Sequence, residues 1–154
     1  MDGSGTWDTV FVMSTVSKGA INERRTKGAI NERIDRSARF YEKVFGGRIL
    51  SRGDSEGAPA YIQIANTWLL VNVGGGPTPD KPSVTLSVPD PDKINGFMNI
   101  RVADIQACYE LWKSRGAEFI TEPRDKYGES LCDMRDPDGY IIEVGQSKPE
   151  FTYG

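Results

Sequence analysis

The spacing of apolar positions changes several times along the chain, and each change marks an element. Thr9 to Ser17 interleaves valine and phenylalanine with small polar residues, the composition of a strand. From Ile34 the period lengthens. Ile34, Ala38, Tyr41 and Phe45 fall at spacings of 4, 3 and 4, which is one face of a helix. Gly46 and Gly47 supply the left-handed residue that stops it. Three runs of strand composition follow, from Arg48, from Pro59 and from Thr67 to Val73. They are broken at Gly57-Ala58-Pro59 and at Asn66-Thr67.

Residues 74–96 are rich in glycine and proline and read as a linker, with Ser83 to Val88 an extended piece inside it. The order of elements then repeats. Phe97 to Val102 is a strand. Asp104 is a good N-cap for a helix from Ile105 to Arg115, and Gly116 ends it. Ile105, Cys108, Leu111 and Trp112 make its expected buried face. Ala117–Pro123, Glu129–Asp136 and Tyr140–Gln146 are three more strands. The chain therefore reads β-α-β-β-β, linker, β-α-β-β-β. The modules are 1–73 and 97–147, with 148–154 as a tail. The halves repeat architecture, with low residue identity. One feature stands outside this order: KGAINER occurs at Lys18–Arg24 and again at Lys27–Arg33. Two copies make no solenoid. Residues 18–33 read as a duplication or insertion in a surface loop, with a basic lid or partner-binding arm as the alternative.

Composition narrows the function. Of 154 residues, 38% are hydrophobic and 27% charged, as in an ordinary globular protein. A net charge of −3 argues against a nucleic-acid partner. No apolar run is long enough to span a membrane, and the first residues lack the basic start and apolar centre of a signal peptide. A cytoplasmic location is the expectation. Cys108 and Cys132 are expected to be reduced thiols. The chain has no histidine, which excludes Ser-His-Asp and Cys-His catalysis. Gly74-Gly75-Gly76 is not followed by a Lys-Ser/Thr pair and a helix, so it is no phosphate loop.

Three stretches, RSARFYEKVFGGRI, NIRVADIQACYELWKSRGAEFI and RDPDGYIIEVGQS, resemble the vicinal oxygen chelate superfamily. That superfamily groups glyoxalase I, extradiol dioxygenases, and bleomycin- and fosfomycin-resistance proteins. The most specific piece is Asp136-Pro137-Asp138-Gly139, a turn followed by a strand with one glutamate, Glu143. The resemblance implies an α+β fold: two βαβββ modules forming a cup-shaped, curved mixed sheet with the helices outside and a ligand inside. A homodimer is expected on the same ground. In the metal-dependent members, four ligands converge from strands of both modules. The last of these positions falls on Glu143. The others fall on Phe97, near Phe11 and near Asn72, which are not metal-ligating residues. The expectation is therefore no metal and no cofactor.

Strand alternation gives the rest of the cup. Phe97, Asn99 and Arg101 would face inward, opposite Met98, Ile100 and Val102. Ile141 and Glu143 would share the cup face, as would Trp68, Leu70 and Asn72, and Phe11, Met13 and Thr15. The candidate ligand-binding residues are thus Phe11, Met13, Trp68, Asn72, Phe97, Asn99, Arg101 and Glu143. This mixture suits a small organic molecule with a flat apolar surface and a few polar groups. Duller readings stay open. Glu143 and Arg101 pair with each other across the cup, or Phe97 and Phe11 close it as core. Cys132 reads as a buried apolar residue; Arg124 and Tyr127 either reach the pocket mouth from their loop or, by default, belong to a solvated one. The leading expectation is a metal-free binding protein for a hydrophobic or aromatic small molecule, such as a sequestered antibiotic. The alternative is a lyase or isomerase, either metal-free with Glu143 as general base or with an atypical metal site.

Overall fold

The fold is that of a computed structural model, which describes residues 10–16, 27–52, 59–73, 77, 79–85, 90, 92–93 and 96–148. The side chains of 10–16, 27–31 and 73 lie outside that description. The chain forms two compact units, Met1–Val88 and Pro89–Gly154.

Unit 1 contains β1 (Val10–Val16), α1 (Lys27–Phe45), β2 (Arg48–Ser51), β3 (Ala60–Ile64) and β4 (Thr67–Val73). Its sheet runs β1-β4-β3-β2, with β1 parallel to β4 and the other neighbours antiparallel. Ile34, Ala38, Tyr41 and Val44 of α1 are buried, together with Ala60, Ile62, Leu69 and Val71 of the sheet. Removing that much apolar surface from water holds the helix on the sheet. Ring stacking of Tyr41 on Phe45, with centroids 5.9 Å apart, extends the contact along the helix. Gly47 has to be small: a Cβ there would lie 3.0 Å from both Ile62 Cγ2 and the Tyr41 carbonyl oxygen.

The helix begins seven residues earlier than the apolar period indicates, and this corrects the reading of 18–33 as one loop insertion. Lys27–Arg33, the second KGAINER, is the first part of α1. Alanine, glutamate and arginine are good helix formers, and Gly28 near the start costs less than in the interior. The first copy lies outside the described residues.

Unit 2 contains β5 (Phe97–Arg101), α2 (Ile105–Ser114), β6 (Glu118–Phe119), β7 (Arg124–Lys126), β8 (Glu129–Arg135) and β9 (Ile141–Ser147). Its sheet runs β5-β9-β8-β6, with β7 also on β8 and β5 parallel to β9. The first and last strands of each unit are thus parallel neighbours, the same topology twice. The Asp104 carboxylate caps α2 by accepting from Ala107 N at 2.9 Å. At the other end Gly116 takes φ +96°, and Ala117 N donates to the Trp112 carbonyl at 3.0 Å, a Schellman closure.

Two expectations change in unit 2. The buried face of α2 is Ile105, Tyr109 and Trp112, whereas Leu111 is 45% exposed. Tyr109 is drawn in by the Phe119 ring, 4.5 Å away between centroids, and its hydroxyl accepts from Lys113 at 2.9 Å. An amphipathic aromatic can bury its ring and still satisfy its polar tip. The Arg124–Tyr127 segment is also more than a loop. Arg124–Lys126 pairs antiparallel with β8 through a turn at Tyr127 (φ +54°) and Gly128 (φ +78°). Positive φ at both central residues is a type I′ hairpin, whose twist matches paired strands. Among the described residues no helix is long and apolar enough to cross a membrane.

Candidate functional site

In each unit the helix covers one face of the sheet, and among the described residues of that unit no helix covers the opposite, open face. In unit 2 the strand registers assign the open face row by row. Phe97 lies beside Ile141 and Arg135. Asn99 lies beside Glu143 and Asp133, and Arg101 beside Gly145 and Leu131. Phe97 is 50% exposed and so is not part of the core. Met134, Ile142, Val144 and Cys132, one residue out of phase, are buried under α2. Burial pushes the Cys132 thiol up to about 12, with Asp133 and Cys108 adding smaller repulsive contributions. It is an inert core thiol at neutral pH.

Glu143 sits at the centre of this face. Its Oε1 accepts from Asn99 Nδ2 at 2.5 Å, so the two neighbouring strands are joined through side chains as well as backbone. Glu143 does not pair with Arg101. The guanidinium instead grips Glu129: Nη1 donates to Oε2 at 3.1 Å and Nη2 donates to Oε1, while Nη2 also donates to Ser147 Oγ at 2.7 Å. The Glu129 side chain is only 12% exposed, and a buried carboxylate requires such a partner. Gly145 makes room for the pair. A Cβ there would stand 2.3 Å from Arg101 Nη1. Neither Glu129 nor Gly145 was in the candidate set. The alternation of β8 carries the signal for Glu129, but the β8–β9 register is needed to bring it to Arg101.

The turn that points Glu143 onto this face is built by Asp136, which is buried. Its Oδ1 accepts from the backbone N–H of Asp138 and of Tyr140, both at 2.9 Å. Its own N–H donates to the Tyr140 carbonyl at 3.0 Å, and Gly139 adopts φ +92°. An aspartate at the first position, a proline at the second and a glycine with positive φ are what a tight turn of this kind needs. Arg135 Nη1 donates to the Gly139 carbonyl at 3.0 Å and closes the turn from the open side.

The open face of unit 1 carries Trp68, Leu70 and Asn72 on β4, with Tyr61 and Gln63 on β3. Trp68 is 47% exposed, and Tyr61 meets it edge-on at 6.5 Å between centroids. Backbone pairing sets Phe11 opposite Leu69 and Thr15 opposite Asn72, with an irregularity between Val12 and Thr15. The side chains of Phe11 and Met13 lie outside the described residues.

The resemblance seen in the sequence implies four metal-ligand positions, at Glu143, at Phe97 and near Phe11 and Asn72. Glu143 offers a carboxylate already engaged by an amide, Phe97 offers no lone pair and Asn72 offers an amide. The chain has no histidine, and among the described residues no three Cys, Asp or Glu side chains converge. Imidazole, thiolate or several carboxylates are what first-row metals require. The described residues do not fit such an ion.

Two sheets of one topology, each with a helix on one face and a glutamate strand after an Asp-Pro-Asp-Gly turn in the second, define the class. Residues 28–144 match the model of the Glyoxalase/Bleomycin resistance protein/Dioxygenase superfamily, and the chain belongs to that family. The match begins inside the second KGAINER, which sets that copy within the family's fold. Solved structures agree. A glyoxalase/bleomycin resistance protein/dioxygenase from Nocardioides is 17% identical, with TM-score 0.68, over 95% of this chain and 86% of that one. TnmS3, an antibiotic binding protein from a Streptomyces species, is 17% identical, with TM-score 0.57, over 92% and 95%. FosX, a fosfomycin resistance protein from Listeria monocytogenes, is 12% identical, with TM-score 0.58, over 96% of each chain. Similarity at these identities establishes the fold.

Proposed function

We propose that the protein binds a hydrophobic or aromatic small molecule without a metal, in the manner of an antibiotic-sequestering member of its family. The observation that carries this reading is the half-exposed Phe97 in the row next to the hydrogen-bonded Asn99–Glu143 pair, on the sheet face opposite α2. An exposed aromatic next to a few fixed polar groups is the composition of an organic-ligand site. Trp68 and Tyr61 give the open face of unit 1 a similar character. Similarity to an antibiotic binding protein and to a resistance protein supports the ligand class.

The test is a thermal-shift screen of aromatic natural products, run with wild type and with Phe97→Ala. A ligand at a hundred times its Kd adds about 2.7 kcal/mol. For a chain of this size that raises Tm by roughly 5–10 °C. Phe97→Ala is expected to keep its unliganded Tm and lose most of the shift. Saturating ligands that shift neither protein, or both equally, refute the reading. Glu143→Gln on the same hits separates binding from turnover: it weakens affinity in a binder and abolishes product formation in an enzyme.

A further inference from the structure

Charge is unevenly distributed along the chain. Residues 27–52 hold seven Lys and Arg against three Asp and Glu, so this stretch carries +4 within a chain of net charge −3, and the remainder carries −7. The stretch comprises α1, β2 and Arg52. One side of α1 buries Ile34, Ala38 and Tyr41. Arg36, Arg39 and Lys43, at spacings of 3 and 4, are exposed on the other. A basic stripe alone is an ordinary solvated helix face.

What distinguishes this one is Asp35. Its Oδ2 accepts from Arg39 Nε at 2.5 Å, and its Oδ1 accepts from Arg52 Nη1. One carboxylate thus holds two guanidiniums, one from α1 and one from just past β2, and neutralises only one positive charge. Arg52 by itself ties the strand end to the helix. Arg39, one turn from Asp35 on the same helix, adds nothing to that tie. Both arginines stay within reach of solvent, with side chains 64% and 45% exposed. Among the described residues, Nη1 and Nη2 of Arg39 and Nε and Nη2 of Arg52 have no hydrogen-bond partner. Lys43, one turn beyond Arg39, is in ion-pair contact with no acid among the described residues. Glu42 acts on Arg39 through space without an ion pair. The hydrogen bond from Arg39 also holds Asp35 below the ordinary aspartate range, so the carboxylate that orients both arginines is ionised at neutral pH.

We propose that this clamp is a binding site for a phosphate-class oxyanion, with Arg39 and Arg52 donating to its oxygens and Lys43 adding to the field. Side chains already held in place lose little further freedom on binding. The planar fork of a guanidinium matches two phosphate oxygens at once. The site lies on α1 and the end of β2, and it stands independently of the aromatic-ligand reading. The phosphate is either free in solution or carried by a lipid headgroup, and the test separates the two.

Inorganic pyrophosphate is titrated into the full chain at fixed ionic strength, followed by the arginine Nε–Hε signals in proton–nitrogen NMR spectra. Saturable shifts of the Arg39 and Arg52 signals are expected. Binding should weaken about 5–10-fold in Arg39→Gln and in Arg52→Gln. It should weaken about 3-fold in Arg39→Lys, which keeps the charge and loses the fork. Lys126→Gln, which removes an exposed cation of unit 2, should change it less than about 2-fold. Asp35→Asn makes the chain more positive but releases both guanidiniums. A clamped site then weakens about 2–3-fold, whereas diffuse attraction strengthens. Cosedimentation with phosphatidylcholine vesicles containing phosphatidic acid, lost in both arginine-to-glutamine variants, assigns the phosphate to a headgroup. Pyrophosphate binding without vesicle binding assigns it to a soluble compound. Absence of saturable shifts, equal weakening in Lys126→Gln, or tighter binding in Asp35→Asn overturns the site.

Discussion

Gly145→Ala tests whether Arg101 and Glu129 act as one unit. The new methyl would lie 2.3 Å from Arg101 Nη1, 3.0 Å from Cζ and 3.2 Å from Leu131 Cδ2. Contacts that short cannot persist, and the guanidinium is the movable partner because its side chain is 39% exposed. Swinging it away breaks the two bonds to Glu129 and the bond to Ser147. A largely buried carboxylate then loses its charged partner, a loss worth about 2–4 kcal/mol in a dry site. Partial exposure of the arginine reduces this to about 1.5–3 kcal/mol. Replacing glycine by alanine also restricts the unfolded chain and returns about 0.5–1 kcal/mol. The net expectation is a loss of about 0.5–2.5 kcal/mol, or roughly 1–10 °C in Tm. Urea and thermal unfolding followed by circular dichroism measure it. The same substitution is then made on Glu129→Gln, where no carboxylate remains to be stranded. There it should be neutral or stabilising, giving a coupling of at least about 1 kcal/mol between positions 145 and 129. An equal loss in both backgrounds, or no loss in the wild type, refutes the reasoning.

Other substitutions probe the turn, the core and the surface charges. Tyr127→Asn should raise stability by about 0.5–1 kcal/mol, because Asn-Gly suits a type I′ turn and tyrosine at φ +54° does not; a lower urea midpoint contradicts the turn assignment. Thiol labelling at pH 8 in the native state should spare Cys132, pushed up to about 12 by burial, and both cysteines should react in denaturant. Rapid native labelling of Cys132, located by mass spectrometry, would show that the core does not exclude it. Asp35 is held below the ordinary aspartate range by its hydrogen bond to Arg39, and Asp125 by Lys148 and Ser130. A carboxyl group depressed on folding stabilises above its unfolded pKa and loses that contribution as pH falls through the folded value. Stability should therefore decline below about pH 4, and Asp35→Asn should flatten the decline in a pH series of urea midpoints.

Much of the fold was legible because short-range rules set it. The 4, 3, 4 spacing from Ile34 to Phe45 requires a helix with one apolar face; Ile34, Ala38 and Tyr41 are buried in unit 1, while Val44 is buried at the end of the face and Phe45 is half-buried. Asp104 caps α2 and Gly116 ends it because side-chain reach and positive φ are local properties. The Asp136–Gly139 turn and the exposed Phe97, Asn99 and Arg101 follow from turn chemistry and a period of two. The start of α1 was not legible, since KGAINER suits a charged loop as well as a helix and its neighbours decide between them. Tyr109 replaced Leu111 in the core because Phe119, ten residues later, supplies the ring it packs on. The partner of Arg101 is the clearest case. Glu143 and Glu129 are both on glutamate-bearing strands, and sequence spacing ranks neither. The β5–β9–β8 register brings Glu129 to Arg101 over Gly145 and leaves Glu143 to Asn99. The sequence by itself determined which residues alternate between the two faces of a strand or helix, because alternation and helical period are properties of one segment. Which charges cancel and which stay available only the tertiary structure decided, because ion pairs form across strands whose register no single segment fixes.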